Sequence, residues 1–208
     1  MTRTLVIETA TAACSVALIE GGAVIAAAHE VVGRGHAERL VPMIAELPEG
    51  GRAPRILVDC GPGSFTGIRV GIAAARGLGL GWGAAVSGYS SLALLAAAGF
   101  AAHPHWPGLA VVLEGGHGEV FMQIFDAPLA PGAALASLKP EAARAALGDL
   151  PAIGNGVRFL APIDSADQLV ESLPRAADAI LLPPAFTALE PRPIYGRAPD
   201  AKPLATTA

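Results

Sequence analysis

The chain has 208 residues, of which 52% are hydrophobic and 15% are charged, and its formal net charge is −4. This composition excludes a disordered or fibrous protein, and the length allows one large domain or two smaller lobes that share a core. Because the basic residues are dispersed and only two cysteines are present, we expect neither tight binding of nucleic acid by this chain alone nor a cysteine-based metal or disulfide framework.

The first half of the chain alternates strand and helix patterns. Residues 5–32 predict a three-stranded antiparallel meander with a tight Gly21-Gly22 turn. After it the pattern predicts, in order, a helix at 37–47, a strand at 55–60, a helix from about 67 to 80, a strand at 84–87 and a helix at 92–98 that Ser90 caps.

The second half begins in the same way. It predicts a hairpin from 109–114 and 119–126, a helix at 140–147 and a short strand at 150–153. A meander followed by alternating elements, begun twice, indicates two related α/β lobes, which we place at residues 1–104 and 105–208. We expect an extended, proline-rich tail from Pro183 onward, with Pro199 and Pro203 in it.

No targeting or membrane segment is predicted. The longest run without a charge or proline, residues 77–103, is interrupted by several glycines and serines, so it does not predict a membrane span. Glu8 lies where a signal peptide would have its apolar centre. We therefore expect a cytoplasmic protein.

The most informative motif is GPGSFTGIRVG, residues 61–71. Its glycines and the helix that follows predict either an anion site at the helix start or a tight strand-to-helix turn without a ligand. It is neither a Walker A loop nor a nucleophile elbow. The motif loop itself consists of Gly61, Pro62, Gly63, Ser64, Phe65 and Thr66. Asp59, just before it, is the best single candidate for a general base, but it has no evident catalytic partner.

A stripe of small residues follows this loop. Gly67, Gly71, Ala75 and Gly79 recur every four residues and so share one helix face. Each interior glycine costs roughly 1 kcal/mol relative to alanine, which indicates a compensating close packing. The stripe could pack on a partner, or on the chain's own sheet or its 37–47 helix.

Several segments together resemble the TsaB (YeaZ) family, which acts in bacterial tRNA threonylcarbamoyladenosine synthesis. They are IETATAACSVAL (7–18), HAERLVPMI (36–44), the GPGSFTGIRVG motif, Ser90-Ser91-Leu92, GEVF (118–121) and IYGRAPDAK (194–202). They span nearly the whole chain, and the GPGSFTG run is highly specific.

The resemblance implies an actin-like (ASKHA) α/β fold of two related lobes, each opening with an antiparallel meander followed by α/β units. It also implies a noncatalytic scaffold or activating subunit that pairs with TsaD in the N6-threonylcarbamoylation of adenosine 37, in tRNAs that read codons beginning with A. The ATPase TsaE would join a larger complex. Tight tRNA binding by this chain alone is not expected.

The resemblance further implies that this chain has no catalytic residue, metal site or cofactor of its own, although ATP could bind at the interface of the complex. The catalytic relative carries two metal-binding histidines on one helix face, and Ser91 and Leu95 occupy those positions here. The alternative function is a small actin-like ATP-binding phosphotransferase. Against it, residues 8–11 read Glu-Thr-Ala-Thr and lack the glycine of an actin-like phosphate loop.

By the resemblance, the partner surface is formed by the 36–47 helix and the helix after the motif, and the same surface could form a homodimer. We assign to it His36, Glu38, Leu40, Ile44, Gly67, Ile68, Gly71, Ala75 and Gly79. On this hypothesis Gly71→Leu leaves a folded chain that no longer joins TsaD, and Gly71→Ala weakens the association modestly.

Overall fold

The first lobe is built on a five-stranded sheet. In this computed structural model, residues 2–160 and 168–197 are described. The strands are β1 (Thr4–Glu8), β2 (Ala13–Glu20), β3 (Ala23–Val31), β4 (Arg55–Asp59) and β5 (Ala85–Tyr89), in the spatial order β3-β2-β1-β4-β5. The first three strands are antiparallel, which confirms the predicted meander. Strands β1, β4 and β5 are parallel because helices connect them.

Three helices cover the two faces of this sheet. They are α1 (His36–Ala45), α2 (Phe65–Trp82) and α3 (Ser91–Ala102), close to the predicted bounds. Ser64 caps α2 by accepting from the Gly67 amide, and Ser90 caps α3 as predicted by accepting from the Leu92 amide.

Strand alternation assigns the helices to opposite faces. Leu5 and Ile7 of β1 pack with α1 and α2, whereas Val6 between them packs with α3. Because α3 is apolar around its whole circumference, it lies in the centre of the molecule, between the two sheets.

The second lobe repeats the arrangement of the first. Its elements are β6 (Gly108–Gly116), β7 (Glu119–Asp126), β8 (Ala130–Pro131), β9 (Ala136–Leu138), α4 (Pro140–Leu147), β10 (Ala152–Ile153) and β11 (Leu169–Val170). Strand β6 is antiparallel to β7 and parallel to β10, just as β1 is antiparallel to β2 and parallel to β4. This repeated topology confirms the predicted two-lobed, actin-like α/β fold; β8, β9 and β11 were not predicted.

In the described part of the chain, four short 3₁₀ helices connect these elements or follow them. They span Pro48–Gly51, Val157–Phe159, Ala176–Leu181 and Pro184–Phe186. No helix within residues 2–160 and 168–197 is both long enough and apolar enough to cross a membrane.

After β11 the chain returns to the first lobe. The Ala176–Leu181 turn packs on the first sheet, where the Ala176 amide donates to Ser15 Oγ at 3.1 Å. Leu189 and Gly88 exchange two backbone hydrogen bonds, of 2.7 and 3.1 Å, at the edge strand β5. Residues 176–194 therefore pack on the first lobe, although sequence alone assigned them to the second lobe. The predicted tail positions Pro199 and Pro203 lie outside the described residues.

Candidate functional site

The GPGSFT loop packs on the chain's own β1–β2 connection. Gly61 has φ +92°, a backbone conformation that favours glycine. The Ser64 amide donates to the Ala10 carbonyl oxygen at 2.6 Å, and a Cβ on Gly63 would overlap that same oxygen. This close packing accounts for both glycines without a ligand, as the tight-turn alternative proposed.

Two buried carboxyl groups lie beneath the loop. Asp59 Oδ1 accepts from the Gly61 amide at 3.0 Å, and its Oδ2 has no hydrogen-bond partner among the described residues. Glu8 Oε1 accepts from the Ala10 amide, and its Oε2 accepts from the Tyr89 hydroxyl, both at 2.9 Å. Burial raises the pKa of Glu8 to about 7, and burial beside Glu8 raises the pKa of Asp59 well above its usual range.

This cluster holds the loop and does not line the cleft between the lobes. Asp59, the suggested general base, is fully buried and does not line the cleft. Its carboxylate positions the loop by accepting from the Gly61 amide. Sequence reasoning missed its grouping with Glu8 and Tyr89. A signal was available, because the three residues end the neighbouring parallel strands β1, β4 and β5, whose carboxyl ends meet at one edge of the sheet.

An open cleft of about 900 Å³ separates the two lobes. The start of α2, the β6–β7 turn and residues 194–197 form parts of its wall. Among the described residues, its lining contains the arginines Arg34, Arg69 and Arg197 and one carboxylate, Glu114. Arg197 is paired with Glu119 at 3.5 Å and Glu114 with Arg158 at 2.6 Å, so Arg34 and Arg69 give this part of the wall its positive charge although the whole chain is negative.

Three side chains form a stack on the cleft wall. Phe65 and Tyr195 are 65% and 53% exposed, and their ring centroids lie 6.3 Å apart. The Arg69 guanidinium carbon lies 3.2 Å from the Phe65 centroid and 5.3 Å from that of Tyr195. Arg69 Nη2 also donates to the Tyr195 hydroxyl. The sequence named Phe65 but gave no signal that Arg69 and Tyr195, 126 residues apart, would join it.

The predicted small-residue stripe faces inward. Gly67, Gly71, Ala75 and Gly79 are buried. A Cβ on Gly67 would overlap the Thr9 carbonyl oxygen, one on Gly71 would overlap Thr9 Oγ1, and one on Gly79 would meet Val86 Cγ2 at 2.5 Å. The stripe thus packs on the chain's own sheet, and its assignment to a partner surface is wrong for these four residues.

The other predicted partner residues are mostly buried too. Leu40, Ile44 and Ile68 belong to the core between the first sheet and its two outer helices. His36 is buried, and its Nε2–H donates to the Ala13 carbonyl oxygen at 3.1 Å, so it ties the start of α1 to β2. Of the nine residues assigned to the partner surface, Glu38 alone is exposed.

The outward faces of the same two helices are mostly small and apolar. Ala37, Val41 and Ala45 are exposed on α1, and Ala73, Gly77, Leu80 and Gly81 are exposed on α2. Exposed beside them are the charged residues Glu38 and Arg76, together with Pro42 and the first-turn residues Phe65 and Thr66. Leu80 is 88% exposed and Val41 is 55% exposed. The small and apolar positions on each helix recur every three or four residues, so they share one face of that helix. The sequence-based assignment named residues on the buried faces of these helices and not on their exposed faces, because both faces of α2 carry small residues.

The start of α3 supports the motif loop. Ser91 is buried, and its Oγ donates to the Pro62 carbonyl oxygen at 3.0 Å, whereas Leu95 lies in the shared core. These two positions, which the resemblance aligned with histidines of the catalytic relative, therefore hold the loop and fill the core.

The repeated sheet topology and the interlobe cleft define a two-lobed α/β protein of actin-like fold. Within that class, the chain belongs to the family described as TsaD: tRNA N6-adenosine threonylcarbamoyltransferase, whose family model matches residues 25–131, 107 of the 208.

Individual relatives confirm the resemblance to TsaB (YeaZ). The tRNA threonylcarbamoyladenosine biosynthesis protein TsaB of Escherichia coli K12 is 40% identical over 99 residues, which are 45% of this chain and 42% of that protein. TsaB of Haemophilus influenzae is 39% identical over 104 residues, 48% of this chain and 44% of that protein. These matches span less than half the length of the curated relatives. The solved structure of YeaZ from Pseudomonas aeruginosa is 29% identical, covers 94% of this chain and 100% of its own, and has a TM-score of 0.78.

Proposed function

We propose that this chain is a noncatalytic scaffold and activating subunit that pairs with TsaD in the cytoplasm. The pair would carry out the N6-threonylcarbamoylation of adenosine 37 in tRNAs that read codons beginning with A. The family match and the names of the TsaB relatives support this proposal.

The observation that carries the proposal is the outward face of α1 and α2. A helix exposed to water normally presents mainly charged or polar side chains, but here Val41 and Leu80 stand mostly among alanines and glycines, with Glu38 and Arg76 as the exposed charges of the two helices. Burying such a branched side chain contributes about 1.5–3 kcal/mol. The small neighbours permit helices of a partner to approach at the short end of the usual range, about 8 Å between axes.

The proposal extends to the rest of the complex on the strength of the family resemblance. TsaD supplies the catalytic groups, TsaE joins as the ATPase, and any ATP binds at the interface of the complex and not to this chain alone. In the absence of TsaD, the same apolar face pairs with a second copy of the chain.

The experiment is co-purification of TsaD with the wild-type chain and with Leu80→Glu. Leu80 is 88% exposed, so the substitution leaves the fold intact and places a charge in the contact. We expect Leu80→Glu to lose at least a hundredfold in TsaD affinity, and to lose tRNA modification when TsaE, ATP and substrates are supplied. The chain alone should change from dimer to monomer in analytical ultracentrifugation.

The matched control is Ile25→Glu, which adds the same charge at a 43% exposed position on β3. It should retain TsaD and full modification. Normal pairing by Leu80→Glu, or equal loss by both variants, would remove this face as the contact. Failure of the wild-type chain to join TsaD would refute the proposed function itself.

A further inference from the structure

We propose that the stack of Phe65, Arg69 and Tyr195 binds a nucleotide of a single-stranded RNA at the mouth of the interlobe cleft. The base would stack on the aromatic rings, and the flanking phosphates would lie against Arg69 and Arg34. This site is separate from the partner face on α1 and α2; it rests on the proposed function only in naming tRNA as the RNA that the protein meets.

The aromatic side chains are placed for a planar ligand. Phe65 and Tyr195 are both more than half exposed beside the same cleft, and large aromatic groups normally bury most of their surface. The Arg69 guanidinium lies close over the Phe65 ring and fixes it in place. Unpaired RNA bases are bound in this way, by stacking on aromatic rings and arginine planes.

The charges of the cleft fit a phosphate chain. The bonds of Arg69 go to the neutral Phe65 carbonyl and Tyr195 hydroxyl oxygens, and within residues 2–160 and 168–197 neither Arg69 nor Arg34 forms an ion pair with a carboxylate. The carboxylate of the described lining, Glu114, is paired with Arg158 at 2.6 Å, and Arg158 also lies 3.5 Å from Glu171. Two such arginines give weak, salt-dependent attraction, which agrees with the expectation that the chain alone does not hold tRNA tightly.

The geometry favours a strand over an enclosed free nucleotide. Small-molecule sites bury roughly 70–90% of their ligand, whereas both rings of this stack stand largely in solvent. Part of the glycine loop is also already engaged within the chain. The amides of Gly61, Ser64 and Gly67 donate to Asp59, to the Ala10 carbonyl oxygen and to Ser64 Oγ respectively, so they are not available to a phosphate.

The test measures binding of a fluorescently labelled, unstructured RNA heptamer to the purified chain at low salt by anisotropy. Stacking is worth about 1–3 kcal/mol per base, so Phe65→Ala should weaken binding about tenfold or more. Arg69→Ala should weaken it and flatten its salt dependence, whereas Arg69→Lys should restore the salt dependence but not the full affinity. Circular dichroism checks that each variant is folded.

The matched control is Phe159→Ala. Phe159 is also an exposed phenylalanine beside an arginine, with Arg158 5.0 Å from its ring centroid, but it does not line the cleft. It should bind the heptamer like the wild type. Arg158 is left unchanged because it neutralises Glu114.

Three results would overturn the inference. The first is unchanged RNA binding by Phe65→Ala, or equal loss by the control. The second is adenosine monophosphate that binds as tightly as the heptamer and displaces it, which would make the site a nucleotide pocket. The third is a Phe65→Ala variant that no longer pairs with TsaD but binds the RNA heptamer like the wild type, which would make Phe65 a partner contact. Because the RNA measurement uses the chain alone, a failure to pair with TsaD leaves its result unaffected.

Discussion

The two faces of α2 are built from similar residues but meet different surroundings. The inner face presents Gly67, Gly71, Ala75 and Gly79 to the chain's own sheet, where the first two meet Thr9. The outer face presents Ala73, Gly77, Leu80 and Gly81, and a Cβ added to Gly77 or Gly81 would meet no atom within 4 Å. Small residues on a helix thus indicate close approach, but only the surroundings identify what approaches.

The strongest test of this comparison is Gly71→Leu. The side chain has no space, because even a Cβ would overlap Thr9 Oγ1, which donates to the Gly67 carbonyl oxygen at 2.9 Å. We expect a loss of more than about 3 kcal/mol in the free energy of unfolding, measured by urea denaturation, or failure to fold. This replaces the sequence-based expectation that Gly71→Leu would fold and lose only TsaD.

Two further variants test the same comparison, one with a smaller change on the inner face and one with leucine on the outer face. Gly71→Ala should cost about 1 kcal/mol, since Thr9 must turn and lose its hydrogen bond. Gly77→Leu, on the outer face, should fold normally and lose TsaD. A stable, partner-deficient Gly71→Leu would instead place the inner face in the interface.

A second prediction concerns Glu8, the neighbour of Thr9 beneath the inner face. Burial raises the pKa of Glu8 from 4.5 to about 7, so the folded chain favours its protonated form. The contribution of Glu8 to the free energy of unfolding is therefore fully present below about pH 4.5, and it is lost as pH rises through about 7. Glu8→Gln stays neutral and can still accept from Ala10. It should be more stable than the wild type at pH 8, by up to about 3 kcal/mol, but not at pH 5.

The measurement is the difference in unfolding free energy between Glu8→Gln and the wild type at several pH values from 5 to 8. Asp59 remains in both proteins, but the Glu8 charge contributes to its raised pKa, so the difference reports Glu8 together with its effect on Asp59. A difference that did not change with pH would show that Glu8 is ionised throughout this range in the folded chain.

The smallest expected effect is that of Gly77→Ala on the outer face. Alanine is favoured over glycine in a helix interior by about 1 kcal/mol, and the added methyl group meets nothing within 4 Å. The urea midpoint should rise accordingly, whereas Gly71→Ala on the inner face should lower it. Destabilisation by Gly77→Ala would mean that the outer face is also packed within the chain.

Regular elements were predictable because their patterns are local. The meander, four helices and the β6–β7 hairpin follow from periodicity, glycine turns and the Ser90 cap. The strands β8, β9 and β11 have only two or three residues each, too few to show a period. The return of residues 176–194 to the first lobe depends on long-range pairs such as Leu189 with Gly88, which no local pattern reveals.

The site was less predictable for a related reason. The motif loop 61–66 was located correctly, but its neighbours come from distant parts of the chain, Ala10 on one side and Ser91 on the other. His36 illustrates the difficulty. At a helix start it reads as a solvated residue, yet it is buried because β2 offers the Ala13 carbonyl oxygen to it.

The return of the chain also determines when the first lobe can mature during synthesis. A ribosome releases β1 to β5 and the first three helices well before residues 176–194, so the nascent lobe has an open edge at Gly88 and lacks the Ala176 contact to Ser15. Domains usually fold in order of their emergence. Here the first lobe gains its last native contacts only once the carboxyl-terminal segment has been made, and these contacts couple the two lobes despite their two separate sheets.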